Sequence, residues 1–166
     1  ISFDEPTVEP TSDSIIYNAS TFFYRYEDGA RDAETLLIDP LTAEIFVISK
    51  REENVRIYEA EVDKVKADDT LKLSYISSLP FHNINAGDIT SDGSEILLKN
   101  YTAIFYWNRS GNEKITDALA RPHERLQYYP EPQGESITWE LEGKGFYTLS
   151  ERNEPKEQVM YYYRRE

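Results

Sequence analysis

One short pattern, a small residue followed by a carboxylate entering an apolar strand, occurs three times in this chain and limits the folds open to it. It stands at Ala33-Glu34-Thr35-Leu36-Leu37-Ile38, at Gly87-Asp88-Ile89 and at Gly134-Glu135-Ser136-Ile137-Thr138-Trp139. A turn follows each copy: Asp39-Pro40-Leu41-Thr42-Ala43, Asp92-Gly93 and Glu142-Gly143-Lys144-Gly145. Second strands come next, at Ile45 to Ile48, Ile96 to Leu98 and Phe146 to Leu149, and then third strands rich in aromatics, at Val55 to Tyr58, Ala103 to Trp107 and Val159 to Tyr163. The carboxylates Glu34, Asp88 and Glu135 lie 54 and 47 residues apart, near the period at which four-stranded β-propeller blades repeat. The expectation is an all-β chain, a β-propeller of about three four-stranded blades.

Composition agrees with strands. The chain has 166 residues, enough for a real core, with 39% apolar and 13% aromatic content that suits an all-β module. Its net charge of −13 repels phosphate backbones, so nucleic acid is not an expected partner. There is no cysteine, which excludes disulfides and Cys-ligated zinc. No apolar run reaches the ~20 residues of a membrane helix, and the first residues do not look like a signal peptide. Three acceptor sequons, at Asn18, Asn100 and Asn108, lean toward a secreted glycoprotein.

Taken in order, residues 1–30 read as the outer strands of a preceding blade, with the tail of a strand at Ile1 to Phe3, a Pro-rich acidic loop from Asp4 to Asp13 and an alternating strand at Thr21 to Tyr26. A full blade spans 31–80, with its outer strand at Leu71 to Ile76 after a charged stretch from Glu59 to Thr70. The next blade spans 81–130, with a short helix at Thr116 to Ala120 and a fourth strand at Leu126 to Tyr129. An incomplete blade occupies 131–166. The ragged strand count leaves sheet edges that a closed ring would cover. The chain therefore reads as one half-propeller, half of a six-bladed ring, completed by a complementary half-propeller chain that is either an N-terminal fragment or a second copy.

In a propeller the innermost strands run along the central channel, so Glu34, Asp88 and Glu135 are expected to ring one channel mouth. Two carboxylates ~6 Å apart repel by ~3 kcal/mol at an effective dielectric of ~20. Such a ring must bind a cation, protonate in part or hold basic neighbours. Three readings stay open: hydrogen bonds from the backbone of the neighbouring blade, a bound cation, or a catalytic dyad. All-oxygen donors favour Ca²⁺ or Mg²⁺, with Asp32, Asn85, Gln133 and His82 as further ligands and Arg31 as a competitor for the carboxylates. Gly87 and Gly134 suit close backbone approach near the axis. His123 reads as exposed, and no nucleophile elbow, phosphate loop or His-Glu-x-x-His run occurs.

The run from Tyr26 to Arg51, with Ala86 to Gly93, Pro132 to Ile137 and Gly145 to Glu151, resembles a family of secreted, bacterial-type six-bladed β-propellers of largely unassigned activity. It is more loosely similar to phytase-like and esterase-like propellers. The resemblance implies that this chain corresponds to the C-terminal half of such a ring. The functional expectation is an extracellular binding or scaffold module with a divalent cation at the channel. The alternative is a metal-assisted hydrolase of phosphate or carboxyl esters that uses the same carboxylates, with His82 as base.

Overall fold

The computed structural model describes residues 2–3, 19–20, 23–61, 70–151 and 158–165. Among these residues it is all-β apart from one short helix. β1 (Ser2–Phe3) pairs with β2 (Ala19–Ser20) in a small separate ladder. The first large sheet holds β3 (Phe23–Tyr26), β4 (Ala33–Ile38), β5 (Glu44–Ser49), β6 (Val55–Glu61) and β7 (Thr70–Leu79). The second holds β8 (Ala86–Ile89), β9 (Glu95–Lys99), β10 (Ile104–Asn108) and β11 (Glu124–Leu126), with α1 (Ile115–Ala120) between the last two. The third holds β12 (Gly134–Trp139), β13 (Gly145–Ser150) and β14 (Met160–Arg164).

From β4 onward each sheet is an antiparallel meander in chain order, and β8 lies beside both β4 and β12. The three inner strands thus sit side by side, and the sheets curl into a half-barrel consistent with a partial propeller-like fold. β3 departs from expectation. It does not border a preceding blade but pairs parallel with β7, Tyr26 opposite Leu73, as a fifth strand on the first sheet. The alternating Phe23-Tyr24-Arg25-Tyr26 pattern specifies a strand but not its neighbour. Tyr26 joins Tyr58 and Leu73 in a buried cluster, and that contact fixes the pairing. β11 also starts earlier than the Leu126 to Tyr129 segment read from the sequence. The charged stretch is strand as far as Glu61, and residues 62–69 lie outside the described residues, as does most of the acidic opening segment.

Side-chain alternation explains the layering. On β9, Ile96 and Leu98 face the first sheet with Phe105 and Trp107, while Leu97 faces the third sheet with Ile137, Trp139 and Phe146. β9 is buried along its whole length, as expected of a strand covered on both faces. Leu97 and Leu98 are fully buried, and each contributes about 1.5–3 kcal/mol of burial energy. The helix closes one edge of the first interface through Ile115, Ala118 and Leu119.

Candidate functional site

The three hairpins of the inner strands supply the alignment. Ile38 pairs with Ile45, Ile89 with Ile96 and Trp139 with Phe146, each next to its turn. Four residues before these inner-strand positions stand Glu34, Asn85 and Glu135. Five residues after their partners stand Lys50, Tyr101 and Glu151. Glu34 and Glu135 each sit at a register shift of their ladder, while β8 pairs without one. An extra residue in one strand re-aims the side chain there. Counted from the turn, Asn85, and not Asp88, stands where Glu34 and Glu135 stand; in the ladder Thr35, Ala86 and Ser136 occupy the same step, and the two glutamates are extra, bulged residues without a counterpart in β8. The Ala-Gly-Asp run imitates the small-residue and carboxylate pattern three residues further along the strand.

Glu34, Glu135, Lys50 and Tyr101 converge. The Lys50 ammonium donates to Glu34 and, at 2.8 Å, to the Tyr101 hydroxyl, and it lies 3.4 Å from Glu135 Oε1. Tyr101 in turn donates its hydroxyl proton to Glu135. The Lys50 side chain is 2% exposed, against 34% for Glu34 and 19% for Glu135. Burial works against the ammonium, but hydrogen bonds to Glu34 and Tyr101 outweigh it, and the lysine titrates above its ordinary value. The Tyr101 hydrogen bond, opposed by burial and aided by the nearby Lys50 charge, holds Glu135 below the usual carboxylate range. The charge of Glu135 pushes Glu151 up.

Asp88 has a different task. Its Oδ2 accepts from Thr138 Oγ1 at 2.9 Å and from the Trp139 backbone N–H at 2.7 Å, and its Oδ1 accepts from Ile89 N at 2.8 Å. It ties β8 to the far end of β12 from Glu135. Asn85 donates to Gly134 O at 3.2 Å. Asp32 pairs with Arg51 at 2.7 Å, where both are exposed. Gln133 holds a left-handed backbone, φ 55°, and its carbonyl accepts from Glu151 N at 2.8 Å. His82 is exposed and its Nδ1 meets Glu52 O at 2.9 Å. Arg31 is drawn away to Tyr58 and Asp28. His123 is exposed at its edge but stands 5.0–5.5 Å from the rings of Phe81, Phe105 and Trp107. Asn108 is exposed. The Asn100 side-chain oxygen accepts from Thr102 N and Ala103 N, both at 2.9 Å. Asn18 lies outside the described residues.

Tested against these donors, a divalent cation does not fit as they stand. A fixed ammonium already bridges Glu34 and Glu135, and Asp88 spends Oδ2 on β12 and Oδ1 on the Ile89 backbone. Among the described residues no three His, Asp or Glu side chains are grouped to hold a metal ion. The sequence reading missed Lys50, the basic neighbour that the carboxylates require, although it ends the apolar run Ile45 to Ile48 by way of Ser49. It also missed Lys99. This lysine is fully buried and donates to Asn100 O at 3.2 Å and to Gly134 O. Burial, opposed by the charges of Glu131 and Glu135, pulls it down to about 8. Asn85 Oδ1 and Glu131 Oε2 are buried without a hydrogen-bond partner among the described residues.

No helix among the described residues is long and apolar enough to cross a membrane. No family model matches the chain, and no curated protein matches its sequence. Among solved structures it is similar to hydrazine synthase of Kuenenia stuttgartiensis, with a TM-score of 0.52 at 10% identity, over 80% of this chain and 34% of that one. The chain thus spans about a third of that protein's length. At that identity the likeness speaks for the fold alone, an all-β chain with propeller-like curvature.

Proposed function

We propose that the chain is a binding or scaffold module of the β-propeller kind, extracellular in setting, whose ring is closed by a second copy packed head to tail. The carrying observation is the outer face of the third sheet. Ile137, Trp139, Phe146 and Thr148 are buried toward the second sheet. By register, Leu149, Met160 and Tyr162 share the opposite face, and they are 38%, 64% and 45% exposed. At the other end of the stack Leu36 and Ile38 are 57% and 54% exposed, on the face of β4 opposite to Leu37. An apolar sheet face is the surface that adjacent blades bury. Two copies, each offering one such face to the other, make two equivalent contacts and a closed assembly.

In this role the channel mouth is structural. Lys50 supplies the positive charge, and the carboxylates of the first and third sheets are held together through it and Tyr101. Sedimentation velocity between about 1 and 100 μM, a range that spans ordinary oligomer affinities, tests the closure. The expected species is twice the 19.3 kDa chain mass, converted to a single chain by Met160→Glu with unchanged circular dichroism. A wild-type protein that sediments as one chain throughout would remove the proposal.

A further inference from the structure

A groove of about 580 Å³ runs between β11 and β14, away from the channel-mouth network. Its size falls within the range of small-ligand sites. Trp139 and Phe146 lie buried in its lining, Tyr163 is half-buried, and Tyr129 is 67% exposed. The aromatic walls are positioned by their neighbours. Tyr163 stacks on Phe146 at 5.0 Å with 12° between the planes. The Tyr163 hydroxyl accepts from Tyr129 N at 3.4 Å, and the Tyr129 hydroxyl accepts from Gln127 Nε2 at 3.2 Å. An exposed tyrosine anchored at its backbone and at its hydroxyl loses less freedom when a ligand stacks on its ring.

The polar lining sets the ligand class. Arg165 is paired with Glu95 at 2.5 Å, and Glu124 and Arg164 carry opposite charges. The lining is therefore close to neutral in a chain of net charge −13, and a charged ligand gains nothing there. Glu124 accepts, Arg164 donates and Gln127 does both. A ligand that matches has flat C–H faces for the aromatic rings and edge groups that both donate and accept. Pyranose rings have this shape: an apolar face and a rim of hydroxyls. A proline-rich peptide, the other usual guest of aromatic grooves, offers mainly carbonyl acceptors and would leave Glu124 unpaired. We infer that this groove is a binding site for a neutral oligosaccharide, with Tyr129 as its stacking platform and Glu124 and Gln127 as hydroxyl partners.

The test titrates the intact chain with the tetrasaccharides of cellulose, chitin and starch and with a proline-rich decapeptide. Tryptophan fluorescence and amide shift mapping are the readouts. At least one tetrasaccharide should saturate the signal and shift the amides of residues 124–129 and 162–165. Tyr129→Ala should weaken that binding by about tenfold, equivalent to roughly 1.4 kcal/mol, with unchanged circular dichroism, and Gln127→Ala should weaken it as well. The inference is overturned if no tetrasaccharide binds at about 10 mM, far weaker than useful recognition. It is also overturned if both variants keep wild-type affinity, or if the decapeptide binds in the groove and the sugars do not. Repeating the titration on Met160→Glu separates this outcome from that of ring closure, because Tyr129 and Gln127 belong to the second sheet's side of the groove.

Discussion

Arg109 grips both carboxylate oxygens of Asp39, at 2.9 and 2.8 Å, with side chains only 2% and 1% exposed. The aspartate opens the turn between β4 and β5, and the arginine follows β10, so the pair fastens the first sheet to the second across their interface. Both partners have further support: Leu41 N donates to Asp39 Oδ1 at 2.9 Å, and Arg109 Nε donates to Glu113 O at 2.5 Å. Two-pronged geometry with the remaining hydrogen-bonding positions filled is the condition under which a buried pair repays its desolvation.

Removing one member leaves the other charge buried and unmatched. Arg109→Met should lower unfolding free energy by about 3–5 kcal/mol, measured by urea denaturation. A loss near that of an exposed ion pair, below about 1 kcal/mol, would show that the pair does not hold the sheets together.

The same pair imposes an acid limit. Burial opposes ionisation of Asp39, but the Arg109 hydrogen bonds outweigh it and hold its pKa below the ordinary value. The unfolded chain therefore binds the proton first as pH falls. The stabilisation is complete above the unfolded pKa of about 3.9 and disappears as pH drops through the lower folded value. Wild-type stability should fall more steeply below about pH 4 than that of Asp39→Asn. Parallel curves for the two proteins would contradict this.

In the cluster of Glu34, Lys50, Tyr101 and Glu135, Lys50→Met should cost about 1–3 kcal/mol, less than a fully buried pair because Glu34 and Glu135 are partly solvated. Calcium at about 5 mM, enough to fill weak extracellular-type sites, should leave the wild-type melting temperature unchanged and recover part of the loss in the variant. A calcium-dependent rise in the wild type, beyond that given by a matched sodium salt, would mean that an ion and not Lys50 balances the carboxylates.

Lys99 predicts a gain in alkali. Its folded pKa, about 8, lies below the unfolded value of about 10.4. Between these values the unfolded chain binds the extra proton, so stability rises with pH. The neutral amine still has two N–H groups for Gly134 O and Asn100 O. Between about pH 8 and 9, below the range in which the buried tyrosines titrate, denaturant midpoints should rise in wild type and stay flat in Lys99→Met. A rise that persists in the variant would assign the effect to another group.

Gly87 should tolerate no side chain. A Cβ there would stand 2.7 Å from Leu98 Cδ2 and 2.8 Å from Leu97 O, and the carbonyl belongs to the β9 backbone, which cannot move aside without disturbing the ladder. Gly87→Ala should destabilise by about 1–3 kcal/mol, read by thermal melting, whereas an unchanged melting temperature would show that the inner strands have slack.

Strand positions were legible because alternation and turn residues are local signals. β5, β6, β9, β10, β13 and α1 fall within a residue or a few of the segments read from the chain. The candidate site was legible in part. Glu34 and Glu135 were picked out by the repeat, and they do approach one another. Asp88 was picked out by the same rule, yet its position belongs to the inter-sheet hydrogen bonds. The β-bulges at Glu34 and Glu135 shift the register by one residue, and the longer intervening segments hide the count from the turn. Lys50 and Lys99 were passed over because a lysine ending a strand looks like a solvated one until the neighbouring sheets enclose it.

By itself the sequence determined that this protein is built from repeated antiparallel strands: period-two alternation and the turn residues between strands act over a few residues and need no distant partner. Tertiary structure alone decided that β3 runs parallel beside β7, that Glu34 and Glu135 bulge out of their ladders where β8 has no counterpart, and that Lys50 is the charge they share. Each of these depends on which surfaces meet across tens of residues, and burial at those meetings, not local preference, sets the energy.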